Sequence, residues 1–124
     1  MIRTIGLSLA MGLAATAGAS AQTAEQGEAV WRKSCAACHT LDPKRHKIGP
    51  HLAGIVGRRA ASAEGYPYTE AFRALDLTWT PEAILTFIKA PTKVVPGTKM
   101  DYVIRFPDED AAAAVRFLEA QPPL

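Results

Sequence analysis

Cys35-Ala36-Ala37-Cys38-His39 is the stretch on which the reading of this chain turns. It contains the only two cysteines in 124 residues, three positions apart, with a histidine directly after them. On a helical turn, residues three apart share a face, so both thiols can reach one rigid partner. Four chemistries compete for the motif. A disulfide closing so short a loop restricts the unfolded chain little and leaves His39 without a task. A redox dithiol leaves His39 unused as well. A zinc site needs two further ligands, and the remaining histidines, His46 and His51, do not form the usual paired arrangement with the cysteines. Covalent haem attachment uses all three residues, two thioethers to the vinyl groups and one imidazole at the iron, and it is the reading the spacing favours.

The composition is ordinary for a globular chain: 48% apolar, 21% charged and 7% aromatic. That excludes a disordered, collagen-like or disulfide-dense scaffold. The N-terminus has the pattern of a secretory signal, with Arg3, an apolar run from Ile5 to Ala15 broken only by Ser8, and the small residues Ala19-Ser20-Ala21. The apolar run falls short of the roughly 20 residues that a membrane-spanning helix needs. The expected organisation is therefore a cleaved signal over 1–21 and one domain over 22–124, exported to a bacterial periplasm, with no lasting membrane insertion. Loss of Arg3 brings the net charge of +2 to +1, which makes nucleic acid a poor partner. Lys and Arg dominate before Met100, and Asp and Glu after it, so the charge has a direction.

A haem with one protein ligand binds small molecules, and a haem with two carries electrons. Met1 and Met11 leave with the signal, so Met100 is the thioether candidate. A methionine fills a core equally well. Its setting, Val95-Pro96-Gly97-Thr98-Lys99-Met100, is a Pro-Gly loop between two helical stretches, and loops present ligands where helices bury core.

Taken in order, these motifs resemble those of class I cytochromes c, the small mitochondrial and purple-bacterial carriers. The likeness covers the exported chain: Gly27 and Trp31 before the cysteines, Gly49-Pro50 after them, Gly57-Arg58, Gly65-Tyr66 with Tyr68, Leu77-Thr78-Trp79, and Pro96 to Met100. It implies an all-α cytochrome c fold, three main helices and loops wrapped around one covalent haem c. It also implies an electron carrier that catalyses no bond chemistry, acting as a monomer. Cys35 and Cys38 would attach the haem, with His39 and Met100 as axial ligands. The carbonyl of Pro50 would accept the second ring nitrogen of His39, and Arg58, Tyr68, Trp79 and Thr98 would meet the propionates. Tyr66 and Lys99 are weaker candidates for that region. His46 would bridge loop backbone, and His51 is expected to be solvated. Phe87 and Phe72 stand where relatives carry more polar side chains, which implies a more apolar pocket. Tyr102 aligns with an aromatic residue beside the haem edge.

The implied partners are redox proteins, either membrane oxidoreductase complexes or periplasmic dehydrogenases and oxidases. Arg32, Lys33, Lys93 and Lys99 would meet their acidic surfaces. An electron-accepting subunit of a periplasmic dehydrogenase, or a sensor or peroxidase-like protein with Met100 displaced, would share the same motifs.

Patterning alone also places helices. Thr23 with Gln26 forms a capping box that opens a helix toward the cysteines. Gly27 inside it indicates close contact with another element, which in the family is the last helix, around Phe117. One helical turn is expected from Glu70 to Ala74. Thr80 caps a helix from Pro81, with Ile84, Leu85 and Ile88 on one face and Pro91 as its stop. Asp108 opens the last helix, with Val115 and Leu118 inward.

Overall fold

The computed structural model describes residues 6, 10–13, 17–101 and 106–124, with the backbone alone over 17–23. Helix α1 spans Ala17–Val30 and passes directly into a π-turn, Trp31–Cys35. Two short helices, α2 (Glu70–Arg73) and α4 (Pro91–Val94), flank α3 (Pro81–Lys89), and α5 (Asp108–Glu119) closes the chain. Among the described residues the only β feature is an isolated bridge between Arg59 and Thr78. The fold is all-α, as the motifs imply.

The helices begin and end for local reasons. The Thr80 hydroxyl accepts the Ala83 amide at 3.1 Å, and Pro81 supplies a pre-set first residue. Thr69 caps α2 in the same way, accepting from Phe72 at 3.3 Å. In α5 no side chain caps the start; three acidic residues, Asp108, Glu109 and Asp110, face the positive end of the helix dipole instead. Pro91 stops α3 and also opens α4, a turn that patterning does not reveal. One boundary differs from expectation: α1 starts at Ala17, so Thr23 lies inside the helix rather than at its cap. The Ala-rich, proline-free run before Thr23 sustains helix without a capping signal.

Helix α1 crosses α5 at Gly27. A Cβ there would lie 2.5 Å from the Ala113 carbonyl and 2.9 Å from Phe117 Cβ, so only glycine admits this approach. Small residues on α5 make it possible, with Ala111, Ala113 and Ala114 buried. Trp31 continues the contact against Phe117, ring centroids 5.8 Å apart. Behind the crossing lies one apolar cluster, Trp31, Ile55, Trp79, Ile84, Phe87, Val95, Val115 and Leu118, with Cys35 and Met100 packed against its edge. The core thus ends where the Cys35–His39 and Pro96–Met100 motifs begin.

Candidate functional site

The cysteine motif is shaped by the π-turn. The Ala36 amide reaches the Trp31 carbonyl at 2.9 Å, one residue further than in an α-helix. The Cys38 and His39 amides then both bond the Cys35 carbonyl, at 3.1 and 3.0 Å, so the motif continues as tight helical turns. A second strand of loop is pinned to it. Gly49 donates to Cys38 at 2.7 Å, Leu52 donates to Thr40 at 2.8 Å, and Lys47 Nζ donates to the Ala36 carbonyl at 2.6 Å.

That pinning orients His39. Its Nδ1 lies 2.8 Å from the Pro50 carbonyl oxygen, which can only accept, so Nδ1 carries the hydrogen and Nε2 the lone pair. Gly49 makes room for the ring: a Cβ there would sit 2.4 Å from His39 Cε1 and 3.0 Å from Nε2. Burial lowers the His39 pKa, opposed in part by the Pro50 bond, and keeps the imidazole neutral. A neutral ring with one nitrogen fixed by a carbonyl and the other bare is what a metal ligand requires.

The competing chemistries fare worse. Cys35 and Cys38 are not joined by a disulfide. Burial, and secondarily the neighbouring Cys38, push the Cys35 thiol up to about 11, the opposite of the lowered value that makes a redox thiolate. Among the described residues no group of three or more His, Cys, Asp or Glu side chains is placed to hold a metal such as zinc. Two thiols three residues apart, next to an oriented imidazole, fit a covalently attached haem.

On the other side, Gly97 takes a left-handed φ of 83° and Thr98 donates its amide to Val95 at 3.0 Å. The Thr98 hydroxyl, buried with the residue, accepts the Met100 amide at 3.2 Å. Met100 is half-buried while Lys99 beside it is exposed. The third group of residues is linked through backbone. Trp79 is buried and donates its amide to Arg58 at 2.8 Å, and its carbonyl accepts Gly57 at 2.7 Å. Arg58 Nη1 donates to the carbonyls of Ala53 at 2.9 Å and His51 at 3.1 Å. The Tyr68 hydroxyl accepts from the Ala63 amide at 3.1 Å, while Tyr66 donates to the Ile48 carbonyl at 2.8 Å. Phe72 packs edge-on to Phe87 at 5.7 Å and beside Trp79 at 6.5 Å, forming an apolar wall.

His46 ties two loops together, with Nε2 2.7 Å from the Glu64 carbonyl and Nδ1 accepting the His51 amide at 3.1 Å. His51 corrects the expectation of a solvated side chain. It is 5% exposed, stacked on His46 and accepting the Ala53 amide. Both partners are near in sequence, but the stretch has no helical or strand period that would mark which loop side chains turn inward, so His51 is not legible as buried. Gly49 is legible from sequence only as part of a Gly-Pro turn; its closeness to the His39 ring is not. Tyr102 lies outside the described residues.

Comparison with known proteins agrees with this geometry. The cytochrome c family model matches residues 24–121. Cytochrome c-554 of Methylosinus trichosporium is 43% identical over 98 residues, 78% of this chain and 74% of the relative. Cytochrome c2 of Rhodopila globiformis is 37% identical over 94 residues, 76% of this chain and 89% of the relative. A cytochrome c-type cyt cy of Rhodobacter capsulatus is 38% identical over 99 residues, 80% of this chain, and the chain spans 49% of that relative's length. With its motifs, all-α fold and these relatives, the chain belongs to the cytochrome c family and carries one covalently attached haem c.

Proposed function

We propose that this cytochrome c is an exported carrier that moves single electrons between redox proteins of the bacterial periplasm and catalyses no bond chemistry itself. The observation that carries the reading is the His39 ring, held through Nδ1 to Pro50 at 2.8 Å in the space that Gly49 leaves open. In this reading Cys35 and Cys38 would hold the cofactor through thioethers, and His39 and Met100 would be the side chains that ligate its iron. When bound, the haem supplies a one-electron couple at its iron. Two ligands from the chain would leave the iron to change oxidation state without binding a substrate. Histidine with methionine raises the reduction potential relative to harder ligand pairs. Phe72 and Phe87 keep the pocket apolar, which disfavours the extra charge of the ferric state. Arg58, Tyr68, Trp79 and Thr98 take the propionates, whose charge needs hydrogen-bond donors once out of water.

Lys33, Lys93 and Lys99 are exposed. They offer acidic partner surfaces a cationic face that steers encounter and loses strength with salt. The signal pattern at Arg3 to Ala21 supports export to the periplasm.

The ferric absorption spectrum tests the core of the proposal. A methionine-to-iron charge-transfer band is expected in the parent protein and absent in Met100→Ala. Its presence in both rejects Met100 as the ligand. For the carrier role, Lys33→Glu with Lys93→Glu slows reduction by an acidic redox partner while Arg116→Glu does not. Equal effects reject the assigned face.

A further inference from the structure

The loop over 49–62 contains a second buried imidazole for which ligation has no use. His51 is 5% exposed. Its Nδ1 accepts the amide of Ala53, two residues on, at 3.2 Å, which closes a tight local turn. The ring is stacked on His46 with centroids 5.4 Å apart and planes within 12°, and its own amide donates to His46 Nδ1 at 3.1 Å. This turn aims two carbonyls at one nitrogen. Arg58 Nη1 lies 3.1 Å from the His51 oxygen, 2.9 Å from the Ala53 oxygen and 3.4 Å from the His51 ring.

Arg58 is a half-buried cation, and a guanidinium stays charged at any pH the fold survives. The ion pairs among the described residues join Arg32 to Glu28, Arg59 to Asp76 and Lys89 to Asp108, and none involves Arg58. Its remaining neighbours, Ser62 Oγ at 3.4 Å and the Tyr68 hydroxyl, are neutral. A partly buried charge held by neutral acceptors calls for an anion, and the proposed function supplies one in the haem carboxylates. Where the guanidinium points then decides how much of its charge they feel.

We propose that His51 is a positioning residue for Arg58: by accepting the Ala53 amide it folds the turn whose two carbonyls aim the guanidinium at the cofactor's carboxylates, and so it helps set the reduction potential. The inference rests on the reading of Arg58 given above. The ring can do this only with Nδ1 unprotonated. Burial, then the charges of Arg58 and His46, hold His51 below the usual histidine range, with Asp42 alone pulling the other way.

The test measures midpoint potentials of the haem-loaded protein at neutral pH. A nearby cation favours the reduced state, so loosening Arg58 lowers the potential. His51→Phe keeps a ring and loses the acceptor; at a fixed solution potential it should cut the ferrous-to-ferric ratio several-fold. His51→Asn restores the parent ratio, because an asparagine oxygen accepts the amide two residues on in an Asx turn. In an Arg58→Gln background, His51→Phe shifts nothing further, as a double-mutant cycle requires of a residue acting through Arg58. If Arg58→Gln shifts the ratio and His51→Phe does not, the positioning role falls and the Arg58 reading stands. If neither shifts it, both fall. An equal His51→Phe shift with and without Arg58 also overturns the role. Nitrogen chemical shifts of His51 in the ferrous parent protein add a check that needs no variant: unprotonated Nδ1 is expected, and Nδ1–H overturns the proposal.

Discussion

Gly27 and Gly49 each lack room for a methyl group, but they stand for two differently built halves of the molecule. At Gly27 the obstacle is backbone, the Ala113 carbonyl 2.5 Å from where a Cβ would lie. At Gly49 it is the ring of His39, 2.4 Å away. The first half, α1 against α5 with α3 behind, closes on itself through a stripe of alanines, Trp31 on Phe117, and Val115 and Leu118 in the core. The second, the loops between Thr40 and Trp79, is held by scattered hydrogen bonds, backbone to backbone as from Leu52 to Thr40 and Ala60 to Leu77, and side chain to backbone as from Arg58 to Ala53. It also needs several left-handed residues, Gly54, Gly57, Ala61 and Gly65. Its rings, Tyr66, Tyr68, Phe72 and Trp79, form a chain of contacts that joins the apolar cluster at its Trp79 end. The helical half is held by helix-on-helix packing, whereas the loop half has less apolar packing of its own and more to gain from a bound group.

The largest expected effect removes that binding. With Cys35→Ala and Cys38→Ala the cofactor is not attached, and the loop half loses the body it surrounds. A chain of this size buries only about two-thirds of the surface it exposes when unfolded, so the helical crossing alone is marginal. Circular dichroism should show a largely unfolded protein. Native-level helix without haem would show that the crossing is self-sufficient.

Alanine at each of the two glycines separates the halves. Both changes overpack a tight contact and should cost about 1–3 kcal/mol in chemical denaturation. Their spectra should differ. Gly27→Ala pushes two helices apart and leaves the ferric charge-transfer band intact, while Gly49→Ala displaces the His39 ring and perturbs the band. Matching spectra for the two variants would mean that the Gly49 gap does not govern the ligand.

The same division explains what the sequence reveals. Helical features are local, so Thr80-Pro81, the Glu70 turn and the Asp108 start are all visible in the residue order. The Cys-x-x-Cys-His motif is also local, and with the ordered likeness to cytochromes c it points to the haem. The π-turn under it is not legible, because a bond from Ala36 to Trp31 instead of one residue nearer has no compositional mark. His51 defeats a local reading for another reason: its partners His46, Ala53 and Arg58 are near in sequence, but an aperiodic loop gives no sign of which side chains turn inward. Pro91 shows a third limit, since one proline can end a helix and open the next.

A smaller effect probes strain in the loop half. Ala61 has a φ of 59°, the left-handed region that costs a residue with a Cβ about 1–2 kcal/mol. Glycine removes that cost but adds unfolded-state entropy of about 0.5–1 kcal/mol. Ala61→Gly should therefore stabilise by up to about 1 kcal/mol, read as a higher denaturation midpoint with an unchanged spectrum. Destabilisation would mean that the methyl group has a packing role outweighing the strain.

The smallest effect lies on the surface of the helical half, where Lys89 Nζ meets Asp108 Oδ1 at 2.6 Å and joins the end of α3 to the start of α5. The hydrogen bond from Lys89, then its charge, lowers the Asp108 pKa. A depressed folded value means that the bridge stabilises fully above the unfolded aspartate pKa of about 3.9, and that this contribution is lost as the pH falls through the lowered folded value. Both side chains are largely in water, so the gain is small and salt screens it. Asp108→Asn should lower the thermal midpoint slightly near neutral pH. The difference from the parent should shrink as acid protonates Asp108 and vanish below its folded pKa. A difference that persists unchanged in acid would assign the effect to something other than this bridge. The loop half should be indifferent throughout, with the ferric band identical in parent and variant across the neutral range, because nothing in the Lys89–Asp108 pair reaches the side chains around His39.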